Sequence, residues 1–148
     1  MLVVFSSRAR ILFDTGSTHS FIAASFVLAL GLHVEPMDCI LSVVSPLGGE
    51  VDACTICRGC VVGIEGHDLV ADLVVLDMVG YDIVLGMDWM SAYHATVDCH
   101  KKRVTISPPG GPVIVFSGGR LLPVCPCGAV RSWALSPWLV CGRRTVLW

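Results

Sequence analysis

The stretch Arg10-Ile11-Leu12-Phe13-Asp14-Thr15-Gly16-Ser17-Thr18-His19-Ser20-Phe21-Ile22 decides the fold. A short apolar run ends in a carboxylate, a hydroxyl and a glycine, so Asp14 can be presented on a tight turn at the end of a strand. Gly16 lets the backbone turn sharply beneath the carboxylate, and the Thr15 hydroxyl can satisfy a neighbouring backbone group. Taken alone, the tripeptide reads as well as a turn or a helix N-cap. Its weight comes from Asp82-Ile83-Val84-Leu85-Gly86, a second apolar strand followed by glycine that can cross the first beneath one site.

Outward from this pair, residues 2–5 and 10–13 read as two β-runs joined through Ser6-Ser7-Arg8-Ala9, a hairpin that delivers Asp14. A helix is expected next. Ser17 or Thr18 can cap it, Phe21, Ile22, Phe26, Val27 and Leu30 fall at helical spacing, and Gly31 can stop it. Strand signals then dominate at residues 39–44, 51–57, 61–64 and 69–76, with turns at Gly48-Gly49 and Glu65-Gly66. Residues 82–85 form a further strand, 87–93 a short helical turn, and 95–99 pairs with 103–106. The expected class is all-β with one helix.

The chain has 148 residues, 54% of them hydrophobic and 15% charged, enough for one globular domain with an apolar core. Residues 1–119 hold all 12 acids and six of the ten bases, while residues 120–148 hold four Arg and no acid. An acidic body with scattered Arg gives no footprint for direct nucleic-acid binding. The longest apolar stretch, 21–32, is interrupted by Ser25 and falls short of the ~20 residues that a membrane span needs. Residues 1–5 lack a basic start and run into Ser6-Ser7-Arg8, unlike a secretory signal, so an intracellular, cytoplasmic protein is expected. With a sizeable core, the eight Cys are expected as reduced thiols rather than as staples.

Cys54-x-x-Cys57-x-x-Cys60 with His67 nearby has the residue types of a zinc site. On a regular strand, however, Cys57 points away from Cys54 and Cys60 unless Gly59 breaks the strand. No second Cys pair or His pair completes the set, so buried thiols are the expectation, with no metal and no cofactor. Asp98-Cys99-His100 does not make a thiol-protease site, because consecutive strand residues alternate in direction.

From Asp14-Thr15-Gly16-Ser17 through Gly86-Met87-Asp88-Trp89, the chain closely resembles the retropepsin-like aspartic protease of gypsy-type LTR retrotransposons, over residues ~5–118, one compact domain of ordinary size. Leu30-Gly31-Leu32, Ser45-Pro46-Leu47-Gly48-Gly49, Ala71-Asp72-Leu73 and Trp89-Met90-Ser91-Ala92-Tyr93-His94-Ala95 match in the same order. The resemblance implies one half of a closed β-barrel of acid-protease type, with one helix after the catalytic loop and a short helix after the second glycine. It implies an aspartic endopeptidase acting on the element's own Gag-Pol polyprotein.

Such chemistry needs two carboxylates sharing a proton, one activating water and the other protonating the carbonyl oxygen. With a single Asp-Thr-Gly in the chain, a symmetric homodimer would supply the second Asp14. By resemblance, Asp14 is catalytic, Thr15 braces the loop across the two-fold and Gly16 allows close approach. Ser17 either meets the catalytic carboxylate or caps the helix. Ser45, Pro46, Leu47, Gly48 and Gly49 form the flap that closes over an extended peptide. Ile83, Val84, Leu85, Gly86 and Asp88 form the second loop, in which Ile83 and Val84 read as pocket wall or core and Asp88 as a loop brace, an ion-pair partner or a helix cap.

Residues 1–118 are therefore expected as the protease domain and 119–148 as an atypical, poorly ordered tail, produced by a shifted reading frame or by divergence. In that reading the chain also starts just before the first strand, without any strand that precedes it in the family. The competing reading is a catalytically inactive remnant that dimerises or binds peptides without cutting them.

Overall fold

The computed structural model describes residues 2–4, 7–44, 50–118 and 139–140; the expected flap at 45–49 and, apart from 139–140, the expected tail at 119–148 lie outside it. In chain order the elements are β1 (Leu2–Val4), β2 (Ser7–Arg8), β3 (Ile11–Phe13), β4 (Phe21–Ala23), α1 (Ala24–Leu30), β5 (Glu35–Val44), β6 (Glu50–Ile64) and β7 (His67–Leu76). They continue with β8 (Ile83–Leu85), α2 (Met87–Ala92), β9 (Thr96–Asp98), β10 (Arg103–Ile106), β11 (Ile114–Ser117) and β12 (Leu139–Val140). The chain is mostly β.

One sheet runs β12-β5-β6-β7-β4-β8-β3, with β1 paired to β2 and β6, and a second runs β11-β10-β9. The long strands β6 and β7 meet at Glu65-Gly66, where both residues have positive φ, 49° and 81°, as a two-residue type I′ hairpin turn requires. At the other end of the sheet the strands are short. There β8 lies between β3, to which it is parallel (Leu12↔Val84), and β4, to which it is antiparallel (Phe21↔Val84).

Of these short strands, the inner β4 and β8 are buried along their whole length, which explains their uninterrupted apolar sequence. Ile83 and Leu85 enter one core cluster with Ile22, Val62, Leu73 and Ile106. Val84 enters the other, with Phe21, Val43, Ala53 and Leu76. Under β3, Trp89 of α2 packs against Phe13 at 6.2 Å and against Tyr93 at 4.8 Å between ring centroids. Tyr93 in turn clamps β7, its hydroxyl accepting from the Val70 N–H at 2.8 Å and donating to the Val70 carbonyl at 2.9 Å.

Several sequence expectations are corrected. The expected hairpin of residues 2–5 with 10–13 is instead β1 with β2, and β3 leaves to pair with β8. The helix begins at Ala24, behind an N-cap without a side-chain hydrogen bond, so neither Ser17 nor Thr18 caps it; Phe21–Ala23 form β4. The expected strands at 51–57 and 61–64 are one strand, β6, carrying an irregularity between Cys57 and Cys60. The expected closed barrel half is an open sheet, since among the described residues no pairing joins β3 to β5. Closure needs long tilted strands in matched stagger, whereas β3, β4 and β8 have three residues each. Of the expected reduced thiols, Cys57 and Cys60 are joined in a disulfide, while Cys39, Cys54 and Cys99 are free and exposed.

No helix among the described residues is long and apolar enough to cross a membrane, and none of their His, Cys, Asp and Glu side chains gather in threes as a metal site would.

Candidate active site

The parallel pair β3 and β8 carries both loops of the site. The Asp14 N–H donates to the Leu85 carbonyl at 2.9 Å, so the ladder extends one residue past β3 and fixes where the carboxylate starts. The chain then turns back across the start of α2. There the Ser17 carbonyl accepts from the Met87 N–H at 2.7 Å, and the Thr18 carbonyl from the Asp88 N–H at 3.2 Å. The two loops, 66 residues or more apart in sequence, are thus joined backbone to backbone.

Gly86 makes this crossing possible. A Cβ there would collide with the His19 carbonyl and lie 2.8 Å from the Ser17 carbonyl oxygen. Its φ of −94° is open to any residue, so contact, not backbone conformation, dictates the glycine.

Two side chains lock the crossing. The Ser20 hydroxyl donates to Asp88 Oδ1 at 2.6 Å and accepts from the Gly86 N–H at 2.9 Å, while the Ser20 N–H donates to Asp88 Oδ2 at 3.0 Å. Asp88 Oδ1 also accepts from the Trp89 N–H at 2.6 Å. Asp88 is therefore a bracket between the first loop and the first turn of α2, and among the described residues it is in no ion pair. Ser20 is buried at 1% exposure. Ser17, also buried, donates from its hydroxyl to the His19 carbonyl at 2.6 Å, so its side chain does not cap α1, and it is through its backbone N–H that it bears on the Asp14 carboxylate.

A further brace at the foot of the site is invisible in sequence patterning. Asp82 accepts from the Arg10 N–H at 2.7 Å and from its guanidinium at 3.1 and 3.3 Å, tying the starts of β3 and β8 together. Burial pushes the Asp82 carboxyl up, but the Arg10 hydrogen bonds and charge outweigh it and leave the pKa below the ordinary value.

Asp14 itself is 7% exposed. Its Oδ1 accepts from the Gly16 N–H at 2.9 Å, whereas Oδ2 is buried with no hydrogen-bond partner among the described residues. Burial raises the Asp14 pKa, and the N–H groups of Gly16 and Ser17 oppose that rise without cancelling it. A carboxyl raised in this way suits proton donation as well as proton uptake. Thr15 is exposed beside it, on the rim of a hollow of about 580 Å³ shared with Met87, Met90, Ser91 and His94.

Asp14, Thr15, Gly16, Ser17, Gly86 and Asp88 are thus gathered at one crossing. Ile83, Val84 and Leu85 lie beneath it as core. Ser45, Pro46, Leu47, Gly48 and Gly49 are outside the described residues, though the strands on either side of them pair as Val44↔Glu50 and Val43↔Val51. His67, the expected companion of the Cys54-Cys57-Cys60 run, is exposed at the far turn between β6 and β7.

A family model described as retroviral aspartyl protease matches residues 1–111. Among solved structures, the retroviral protease-like domain of Ddi1 from Leishmania major superposes with a TM-score of 0.58 at 15% identity, covering 71% of this chain and 83% of that one. At that identity the likeness is one of fold. No curated protein matches the chain.

Proposed function

The chain belongs to the retroviral aspartyl protease family, and from that membership we propose that it is an aspartic endopeptidase, active as a homodimer in which each chain contributes one Asp14. The observation that carries this reading is Asp14 itself, held on the crossed loops with Oδ2 unpartnered among the described residues. A two-fold axis beside the loop would bring the second Asp14 to that oxygen, as symmetric dimers bring identical residues together. Thr15 and Met87, both exposed, would meet their counterparts across such an axis.

In the proposed reaction the pair shares one proton. The ionised carboxylate takes a proton from water as the water attacks the scissile carbonyl, and the protonated one donates to the carbonyl oxygen. A proton then passes to the leaving amine as the C–N bond breaks. Coupled carboxylates of this kind titrate in two separated steps. The expected substrate is an extended segment of a Gag-Pol polyprotein from a gypsy-type LTR retrotransposon, inside the cell, bound by strand addition beneath residues 45–49. No metal or cofactor enters the scheme.

Purified chain incubated with a peptide library at mildly acidic pH tests this reading. Cleavage blocked by a pepstatin-type transition-state mimic and insensitive to zinc chelators is expected. A chelator block reversed by added zinc would overturn it, and a stable dimer that cuts nothing would favour the inactive remnant.

A further inference from the structure

The Cys54-Cys57-Cys60 run is the one chemistry-bearing motif that the proposed site leaves unused. On a regular strand, residues 57 and 60 would face opposite sides. In β6 they do not, because Gly59, at φ +62°, opens a bulge there. Pairing with β7 passes from Cys57↔Leu73 to Cys60↔Ala71, three steps on one strand against two on the other. The extra residue reverses the alternation, so that Cys57, Cys60, Val62 and Ile64 all enter the same core cluster.

The bulge is held from both sides. Outside, the Gly59 N–H donates to Asp72 Oδ1 at 2.8 Å, and Arg58 lies 3.4 Å from Glu35 and 3.7 Å from Asp72. Inside, the Cys57–Cys60 disulfide closes it, with Cα atoms 6.4 Å apart and both residues buried. Along the opposite edge, β5 pairs with β6 only as far as Ile56 and β1 only from Val62. Between those points, β7 is the only strand that pairs with β6 among the described residues.

We infer that Cys57 and Cys60 form a reversible dithiol–disulfide couple whose oxidised state stiffens β6 and its pairing with β5 and β7. In the oxidising direction one thiolate attacks a small-molecule disulfide such as oxidised glutathione, releasing one glutathione thiol and leaving a mixed disulfide. The second cysteine then displaces the other glutathione thiol. Two protons and two electrons leave the protein, one S–S bond forms in it, and one breaks in the oxidant. The inference rests on the sheet alone and does not depend on proteolysis, so the two readings fail separately.

The test uses the full chain equilibrated in mixtures of reduced and oxidised glutathione, quenched in acid, alkylated and mapped by mass spectrometry. Cys57 and Cys60 are expected to change state together in one two-electron step, with Cys54 remaining free. Reduction should speed amide exchange across residues 50–64 several-fold and lower the melting midpoint by about 5 °C. Cys54→Ser should keep this response and the double variant Cys57→Ser/Cys60→Ser should lose it; if the double variant does not fold, the wild-type exchange comparison decides alone. A pair fixed in one state across the glutathione range, a bond from Cys54 to either partner, or identical exchange in both states would overturn the inference.

Discussion

Chains carrying Asp14→Asn are expected to fold as the wild type does and to lose peptide cleavage by roughly 10³-fold or more, because the amide matches the carboxylate in shape but can neither take nor share the proton. The fold should survive because Asp14 is joined to the platform by its backbone N–H to Leu85, which the substitution leaves in place. The same variant has a signature in stability. With its pKa raised by burial, native Asp14 holds its proton in a range where the unfolded chain has released it. Wild-type stability should therefore fall as pH rises from the ordinary carboxylate value through the raised one, relative to Asp14→Asn, which lacks that fall. Parallel denaturation curves for the two proteins at matched concentration from pH 3 to pH 8, a range set by ordinary carboxylate and neutral conditions, would reveal it. Coincident pH profiles would mean that burial does not raise the Asp14 pKa, and retained cleavage by a folded variant would remove Asp14 from the mechanism.

The second large effect is expected at Gly86. Gly86→Ala places a methyl group against the His19 and Ser17 carbonyls, both backbone atoms of the opposing loop. Neither can rotate aside as a side chain would. Relief requires the loops to part, which breaks the Ser17–Met87 and Thr18–Asp88 hydrogen bonds and disturbs the Ser20–Asp88 lock. Overpacking of a close backbone crossing should cost about 3 kcal/mol or more. Chemical denaturation of the variant measures it, and wild-type stability would show that the loops do not cross as closely as described.

How far the sequence reveals these features depends on the range of the contacts involved. Asp14-Thr15-Gly16 and the strand ending in Gly86 are local signals, and the structure places both at one crossing. The Glu65-Gly66 turn is local in the same sense. Phe21 and Ile22 read as part of the helix and are not, because a short apolar run fits either period; the β7 and β8 partners on either side make it a strand. The Ser20–Asp88 lock and the Arg10–Asp82 brace join residues 68 and 72 positions apart, and no periodicity marks them. The Cys57–Cys60 pairing was hidden by one residue: alternation sends the two apart, and only the bulge at Gly59 turns them to the same side. Barrel closure came from family resemblance, and the three-residue strands at the β3 end leave the sheet open.

Subunit mixing bears most directly on the two-chain site. Wild-type chains at constant concentration, above the range where monomer persists, are mixed with a ninefold excess of Asp14→Asn chains and left to exchange subunits before cleavage is assayed. If each site takes one Asp14 from each of two chains, random pairing leaves about a tenth of the wild-type chains with a wild-type partner, and activity should fall to about that fraction. Activity unchanged by the excess variant would mean that one chain cuts by itself, and the shared site would be wrong.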